Sequence, residues 1–342
     1  MFNKLQTIDR FRVKDNRDFS KYLYLNRAER VAPLDNKIID RLSQSLDLNQ
    51  LGFYYDLSNL YQKLSDFLDL DQNNFLITNG AEEAIRYIFN VHVKPDDIVM
   101  FPTPTYGMYY VFSKIYCNNF ITLEYSDFKI NKSKLYENIG KIKVFFLPNP
   151  SHIEDLFDEE EIINLLNILK KNNSLLVLDE TYYGYGSDTM IKLIYNYNNL
   201  YIIRSFSKYF GLPAIRVGIL ISNKDNMSAI SNYRPAYEIS YLSSKVLEFF
   251  LTNNNFIKEY INECIIGREY LIKNLNKNYI KYNGNNNYLV NIEVKNNIEL
   301  VVDELKKNNI IVKKSNNYLT LTIGPIKYME HFWNYFINIY KC

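Results

Sequence analysis

Glycine is scarce in this chain. Only 11 of its 342 residues are glycine, where about 7% would be ordinary. Low-complexity, collagen-like and glycine-linker architectures are thereby excluded, and each remaining glycine becomes informative. Cysteine is also sparse, with three residues, Cys117, Cys264 and Cys342. They are widely spaced, odd in number and without a C-x-x-C pair, so neither a disulfide framework nor a structural zinc site is supported. No apolar run approaches the ~18 residues of a membrane span, and the polar start, Met1 to Arg12, lacks the apolar stretch of a secretory signal. These absences predict a soluble, cytoplasmic protein. Charge of one sign is missing as well. Lys+Arg number 40 and Asp+Glu 38, for a net charge of +2. With no block of like charge, a role driven by bulk attraction to nucleic acid or membrane is disfavoured.

What is present is a globular composition, 47% hydrophobic and 23% charged, over a length that suits two lobes. Short apolar runs read as strands at Phe75–Thr78, Ile98–Phe101, Val144–Leu147, Leu175–Leu178, Tyr201–Arg204 and Val217–Ile221. They mostly lack polar alternation, as expected when both faces are covered. Helical patterns lie between them, at Ala81–Asn90 and at Glu159–Lys170, the latter opening on an acidic run that suits a helix N-terminus. This alternation predicts an α/β domain with a mostly parallel sheet. The last third changes character. Helical periods at Ser243–Phe250, Phe256–Leu275, Ile298–Lys307 and Met329–Tyr340 accompany alternating strands at Tyr288–Glu293 and Tyr318–Ile323, which predicts a smaller α+β lobe. The expected division is an N-terminal arm over 1–44 that joins the small domain, a large domain over 45–235 and a small C-terminal domain over 236–342.

Three short segments carry candidate chemistry. Ser205-Phe206-Ser207-Lys208, then Gly211 and Arg216, follow a buried strand. A lysine there sits at the C-terminal edge of a parallel sheet, where ligands of α/β proteins bind. The two hydroxyls and the arginine can converge on one phosphate, and a lysine beside a cation can form a Schiff base with an aldehyde. A solvated loop lysine is the alternative. Asp179-Glu180-Thr181-Tyr182 follows another buried strand. Asp179 there can pair with a cationic ring nitrogen or serve as a helix N-cap. Thr78-Asn79-Gly80-Ala81-Glu82 is a strand-to-helix turn. Its backbone N–H groups can bind an anion, or it is a generic N-G turn.

Taken together, T-N-G-A-E-E-A-I, P-T-P-T-Y-G-M-Y, L-D-E-T-Y and S-F-S-K-Y-F-G-L-P-A-I-R-V-G resemble the fold-type I pyridoxal-phosphate enzymes. The resemblance is strongest to the histidinol-phosphate aminotransferase-like branch of the class I/II aminotransferases, and it runs from about Leu25 to Gly324. It implies a large α/β/α domain, a smaller α+β domain, a pyridoxal phosphate cofactor and a homodimer with shared active sites. Lys208 would bond the cofactor and shuttle the substrate proton. Asp179 would pair with the pyridine nitrogen, Tyr182 and Asn149 would touch the phenolic oxygen, and Tyr106 would stack on the ring. Gly80, Ala81, Glu82, Ser205, Ser207 and Arg216 would hold the phosphate, with Tyr54 reaching the phosphate bound by the partner subunit. Gly80, Gly107, Gly211, Gly218 and Gly324 all fall in these matching motifs.

The chain departs from the family at positions that bear on substrate. Tyr55 stands where proline is usual, and His152 replaces the glycine of N-P-T-G. Thr320, in L-T-L-T-I-G, stands where an arginine grips the substrate carboxylate, and Lys313 replaces a second arginine. A bidentate fork has become a neutral hydroxyl, which is not conservative. Arg30, Arg234 or Lys313 is therefore expected to supply a compensating cation for a substrate phosphate, with His152 near the ring. One reading is an aminotransferase acting on a small phosphorylated substrate of the serinol-phosphate type, in surface polysaccharide biosynthesis. The others are a decarboxylase of an amino-acid O-phosphate and a non-catalytic cofactor-binding regulator.

Overall fold

A computed structural model of the chain describes residues 16–153, 157–295 and 297–340. Cys342 and the polar start to Arg12 lie outside them. Among the described residues the central sheet has eight strands. In spatial order they are Phe75–Thr78, Gly218–Ile221, Leu200–Ser205, Leu175–Asp179, Val144–Pro148, Ile98–Thr103, Asn119–Ser126 and Lys129–Ile130. From Leu200–Ser205 across to Asn119–Ser126 every pairing is parallel. Gly218–Ile221 runs antiparallel to both its neighbours, and so does the short last strand. All six strands expected from the sequence belong to this sheet.

Burial on both faces follows from the period of two along each strand. Leu76, Phe101, Phe146, Val177 and Ile203 pack on one side with the helices Ala81–His92 and Gly107–Tyr116. Ile77, Met100, Phe145, Leu147, Leu178 and Ile202 join the larger core on the other, with the helix Glu159–Lys171. That helix opens as its acidic run predicts, on a capping box between Asp158 and Glu161.

The C-terminal third forms a four-stranded antiparallel sheet in the order Tyr282–Asn283, Leu289–Glu293, Tyr318–Thr322, Lys313–Ser315. The helices Asn255–Lys277, Ile298–Lys307 and Ile326–Tyr340 contribute Leu271, Val301 and Phe332 to its core. The arm, which shows no period in sequence, supplies a strand, Leu23–Tyr24. It pairs in parallel with Ile310–Ile311.

Some elements were not legible in the sequence. Gly107–Tyr116 is rich in aromatic and β-branched residues, yet it is a helix. Tertiary packing of Met108, Tyr109 and Phe112 overrides its weak propensity. Asn119–Ser126 is a half-exposed strand near the sheet edge and lacks a continuous apolar run. The side chains of Cys117 and Cys264 are buried. Among the described residues no helix is long and apolar enough to cross a membrane.

Candidate active site

The parallel strands end on one side, and there a cavity of about 530 Å³ opens toward the small lobe. Asp179 and Ser205 are the last residues of their strands, and both line the cavity. The turn after Ser205 is held by a bond from the Ser207 amide to the Ser205 hydroxyl at 3.1 Å. It delivers Ser207 and Lys208 to the same wall.

Lys208 Nζ donates to the Ala28 carbonyl at 2.6 Å, which brings the N-terminal arm across the site. Burial lowers its pKa to about 8, and the Arg216 guanidinium pushes the same way. Glu29 opposes them. Glu29 lines the cavity and is paired with Arg17. An amine so tuned is substantially neutral near pH 8, which a nucleophilic lysine needs.

Asp179 is buried and accepts from the Thr181 amide at 2.9 Å and from the Tyr109 hydroxyl. Burial raises its pKa, against these hydrogen bonds. A cationic partner placed beside it would draw the pKa back down. Tyr182 lies on the same wall, and burial followed by the charge of Asp179 raises its phenol.

The third wall is the start of the helix Ala81–His92. Ala81 and Glu82 line the cavity, and Gly80 precedes them at φ 75°. A Cβ on Gly80 would lie 2.6 Å from Arg216 Nη2, so only glycine lets that guanidinium lie against the helix N-terminus. Arg216, Ser205, Ser207 and the free N–H groups of this helix make a cup for an anion. Tyr106 lines the rim, and its hydroxyl donates to Glu82 at 2.9 Å.

The small lobe closes the cavity with two rows of side chains set across its strands. Leu289 faces Thr322 in one row, and Asn291, Thr320 and Lys313 form the next. Leu289, Thr322, Thr320 and Lys313 all line the cavity. Thr322 Oγ1 accepts from the Ala28 amide at 2.9 Å, so the arm is anchored to both walls. His152 joins this side, and burial with the nearby Lys313 charge lowers its pKa to about 4. It is a neutral imidazole at ordinary pH.

Three expected contacts do not occur. Asn149 does not line the cavity. Its side-chain amide is closed on Phe157, accepting from the backbone N–H and donating to the carbonyl, both at 2.9 Å. The buried Phe157 backbone takes both partners from that one side chain. Arg30 is turned out of the site. Its guanidinium stacks on Tyr260 at 3.6 Å, and Nε donates to the Ala32 carbonyl. Arg234 lies away from the cavity, in an ion pair with Glu238 at 3.5 Å. Tyr54 is 84% exposed and stacks on Tyr237, away from this chain's own cavity. Conversely, Tyr109, Arg27 and Asn291 were missed. Tyr109 sits one helical turn beyond Tyr106 in Y-G-M-Y, a spacing that shares a face. Arg27 lines the cavity from the segment R-A-E-R.

The profile of the aminotransferase class I and II family matches residues 21–338.

The chain belongs to that family.

A histidinol-phosphate aminotransferase of Thermotoga neapolitana is 30% identical over 311 residues, covering 88% of this chain and 89% of that protein. Among solved structures, the histidinol-phosphate aminotransferase of Sinorhizobium meliloti, a complex with pyridoxal 5′-phosphate, superposes with a TM-score of 0.85 at 17% identity, covering 100% and 97% of the two chains. The L-threonine-O-3-phosphate decarboxylase of Porphyromonas gingivalis superposes with a TM-score of 0.78 at 18% identity, over 94% of this chain and 100% of that one. The protein is a pyridoxal-phosphate-dependent aminotransferase with a fold-type I architecture. The wall residues fit that cofactor. Lys208 is a buried amine of lowered pKa, Asp179 is a buried carboxylate of raised pKa, and the Gly80–Arg216 contact forms a cradle that a Cβ would fill.

Proposed function

We propose that the protein transfers an amino group to or from a small phosphorylated substrate of the serinol-phosphate type, in surface polysaccharide biosynthesis. When bound, pyridoxal phosphate supplies an aldehyde for a primary amine and a ring that draws electrons from the amine-bearing carbon. The chain's own groups do the rest. Lys208 Nζ, its pKa lowered to about 8 by burial, would be the primary amine that holds the aldehyde, and it stands where it could carry a proton to and from the substrate carbon. Asp179, held by Tyr109 and Thr181, would keep the ring nitrogen protonated. Tyr182 would donate to the phenolic oxygen, and Tyr106 would cover the ring face. Ser205, Ser207, Arg216 and the amides of Ala81 and Glu82 would hold the cofactor phosphate.

One observation carries the substrate reading. The anion cup lies on the cofactor wall, while Lys313 and Arg27 line the substrate side as separate cations with no arginine at 320. Incubating the holoenzyme with amino acids and phosphorylated amines tests it. Conversion to the pyridoxamine form with a phosphorylated amine is the expected result. Turnover confined to unphosphorylated amino acids would overturn it.

A second reading is decarboxylation of an amino-acid O-phosphate. It is favoured by neutral Thr320, which leaves a carboxylate free to stand perpendicular to the ring, and by the fold shared with the Porphyromonas gingivalis decarboxylase. CO₂ release without the pyridoxamine form would select it. We also propose a homodimer. Leu51, Phe53 and Tyr54 are exposed, and Tyr54 stacks on the exposed Tyr237, a surface suited to a second copy that would bring Tyr54 to the neighbouring cofactor phosphate. Light scattering should give twice the chain mass, and Tyr54→Ala should weaken cofactor binding.

A further inference from the structure

The strand Leu289–Glu293 sets Asn291 directly across from Thr320, and both are buried. Asn291 Nδ2 donates to the His152 carbonyl at 2.9 Å. That bond fixes which way the amide points. Its Oδ1 therefore faces Thr320, and it accepts the Thr320 hydroxyl proton at 2.7 Å. A hydroxyl has one proton to give. With that proton committed to Asn291, Thr320 can offer a molecule in the cavity only lone pairs.

The consequence for recognition is a reversal. A carboxylate carries only acceptors and needs donors. Its oxygens against the Thr320 oxygen would set acceptor against acceptor in a buried place, which is costly. A hydroxyl on the substrate has the complementary proton. We infer that Asn291 and Thr320 select a phosphorylated amine, or the ketone derived from it, whose amine-bearing carbon carries a hydroxymethyl group in place of a carboxylate. Thr320 touches the substrate; Asn291 is a positioning residue that acts through Thr320. This inference rests on the phosphorylated-substrate reading and specifies the substrate's remaining substituent.

Three compounds share amine and phosphate and differ only at that substituent. They are serinol phosphate with CH₂OH, 2-aminopropyl phosphate with CH₃, and O-phosphoserine with COO⁻. Titrating each into the holoenzyme while following cofactor absorbance gives its dissociation constant and half-reaction rate. Serinol phosphate should bind about tenfold more tightly than either of the others, the effect of one net hydrogen bond. Thr320→Val should bring serinol phosphate and 2-aminopropyl phosphate within about twofold of each other, and Thr320→Ser should restore the gap. Asn291→Leu frees the Thr320 proton and should narrow the gap between serinol phosphate and O-phosphoserine. A melting curve for each variant separates misfolding from altered preference, and the wild-type ranking stands independently of any variant. Preference of the wild type for O-phosphoserine, or equal affinity for the CH₂OH and CH₃ compounds, would overturn the assignment and leave the phosphorylated-substrate reading standing. No response to any of the three would remove both.

Discussion

The two walls of the cavity are built on different principles. On the large-lobe wall, side chains are delivered by the ends of parallel strands and by one helix N-terminus. Asp179 and Ser205 end their strands, and Lys208 follows three residues later. Their positions are set by a sheet buried on both faces, with Ile203 packed on one side and Leu178 and Ile202 on the other. The small-lobe wall is a row set across antiparallel strands, Asn291–Thr320–Lys313, with His152 tethered to it from the opposite lobe. Its side chains are positioned by one another. The first arrangement keeps cofactor groups in place while the second can change its chemistry through one or two residues, because a cross-strand pair is a local unit.

If the walls divide the work in this way, damage to the first should stop the chemistry and damage to the second should redirect it. The largest effect is expected for Lys208→Ala, with turnover falling by about 10³-fold or more as the activated nucleophile is lost. The cofactor absorbance of the covalent link should vanish in the same variant. Asp179→Asn should follow, with a fall of about 10²-fold in kcat, because a neutral amide cannot hold the ring nitrogen protonated by charge. Steady-state rates compared with cofactor occupancy will distinguish lost chemistry from lost binding.

The lysine also predicts a pH dependence. Its folded pKa lies below its ordinary value, at about 8. Only the neutral amine attacks an aldehyde, so the neutral fraction, and with it the rate at which apoenzyme captures cofactor, should rise about tenfold per pH unit below pH 8 and level off above it. Glu29 supports the ammonium, so Glu29→Gln should move that midpoint downward. Stopped-flow absorbance across pH 6 to 10 reads both; a midpoint near 10 would show that the lysine is not desolvated.

The smallest effect belongs to the tether. Asn287 Nδ2 donates to the Ser151 carbonyl, one residue before the His152 carbonyl held by Asn291. Asn287→Ala removes that donor, at a cost of about 0.5–1.5 kcal/mol. Stability by denaturant titration should fall accordingly, with KM rising a few-fold and kcat little altered. A fall in kcat with unchanged KM would show that the tether serves the cofactor wall.

How far the sequence could be read follows the same division. Phe75–Thr78 and Leu175–Asp179 announce themselves because a strand covered on both faces has no polar alternation. Motif spacing placed Lys208, Asp179 and Arg216, since each lies within a few residues of a strand end. The cations Arg30 and Arg234 could not be placed, because an arginine's long stem reaches in several directions. Arg30 finds the Tyr260 ring and Arg234 finds Glu238, both of them contacts made by packing. Asn149 carries the residue type expected of a cofactor ligand, yet its amide is taken by the Phe157 backbone eight residues on.

The scarce glycines show what the chain determines alone. Gly80 is required wherever a backbone at φ 75° must let an arginine approach to 2.6 Å of its missing Cβ, and such a need is written into a single position. The position of each strand along the chain, its covered faces and the placing of Lys208 just past a strand end are local properties of this kind, carried by hydrophobic period and by distance along the chain. The hydroxyl of Thr320 is different. Its residue type is legible, but the direction of its proton depends on Asn291, 29 residues away, and on the His152 carbonyl, 139 residues from that asparagine. Only the tertiary structure brings a donor, an amide and a carbonyl into one line, because hydrogen-bond direction is settled by which groups meet and not by where they lie in the sequence.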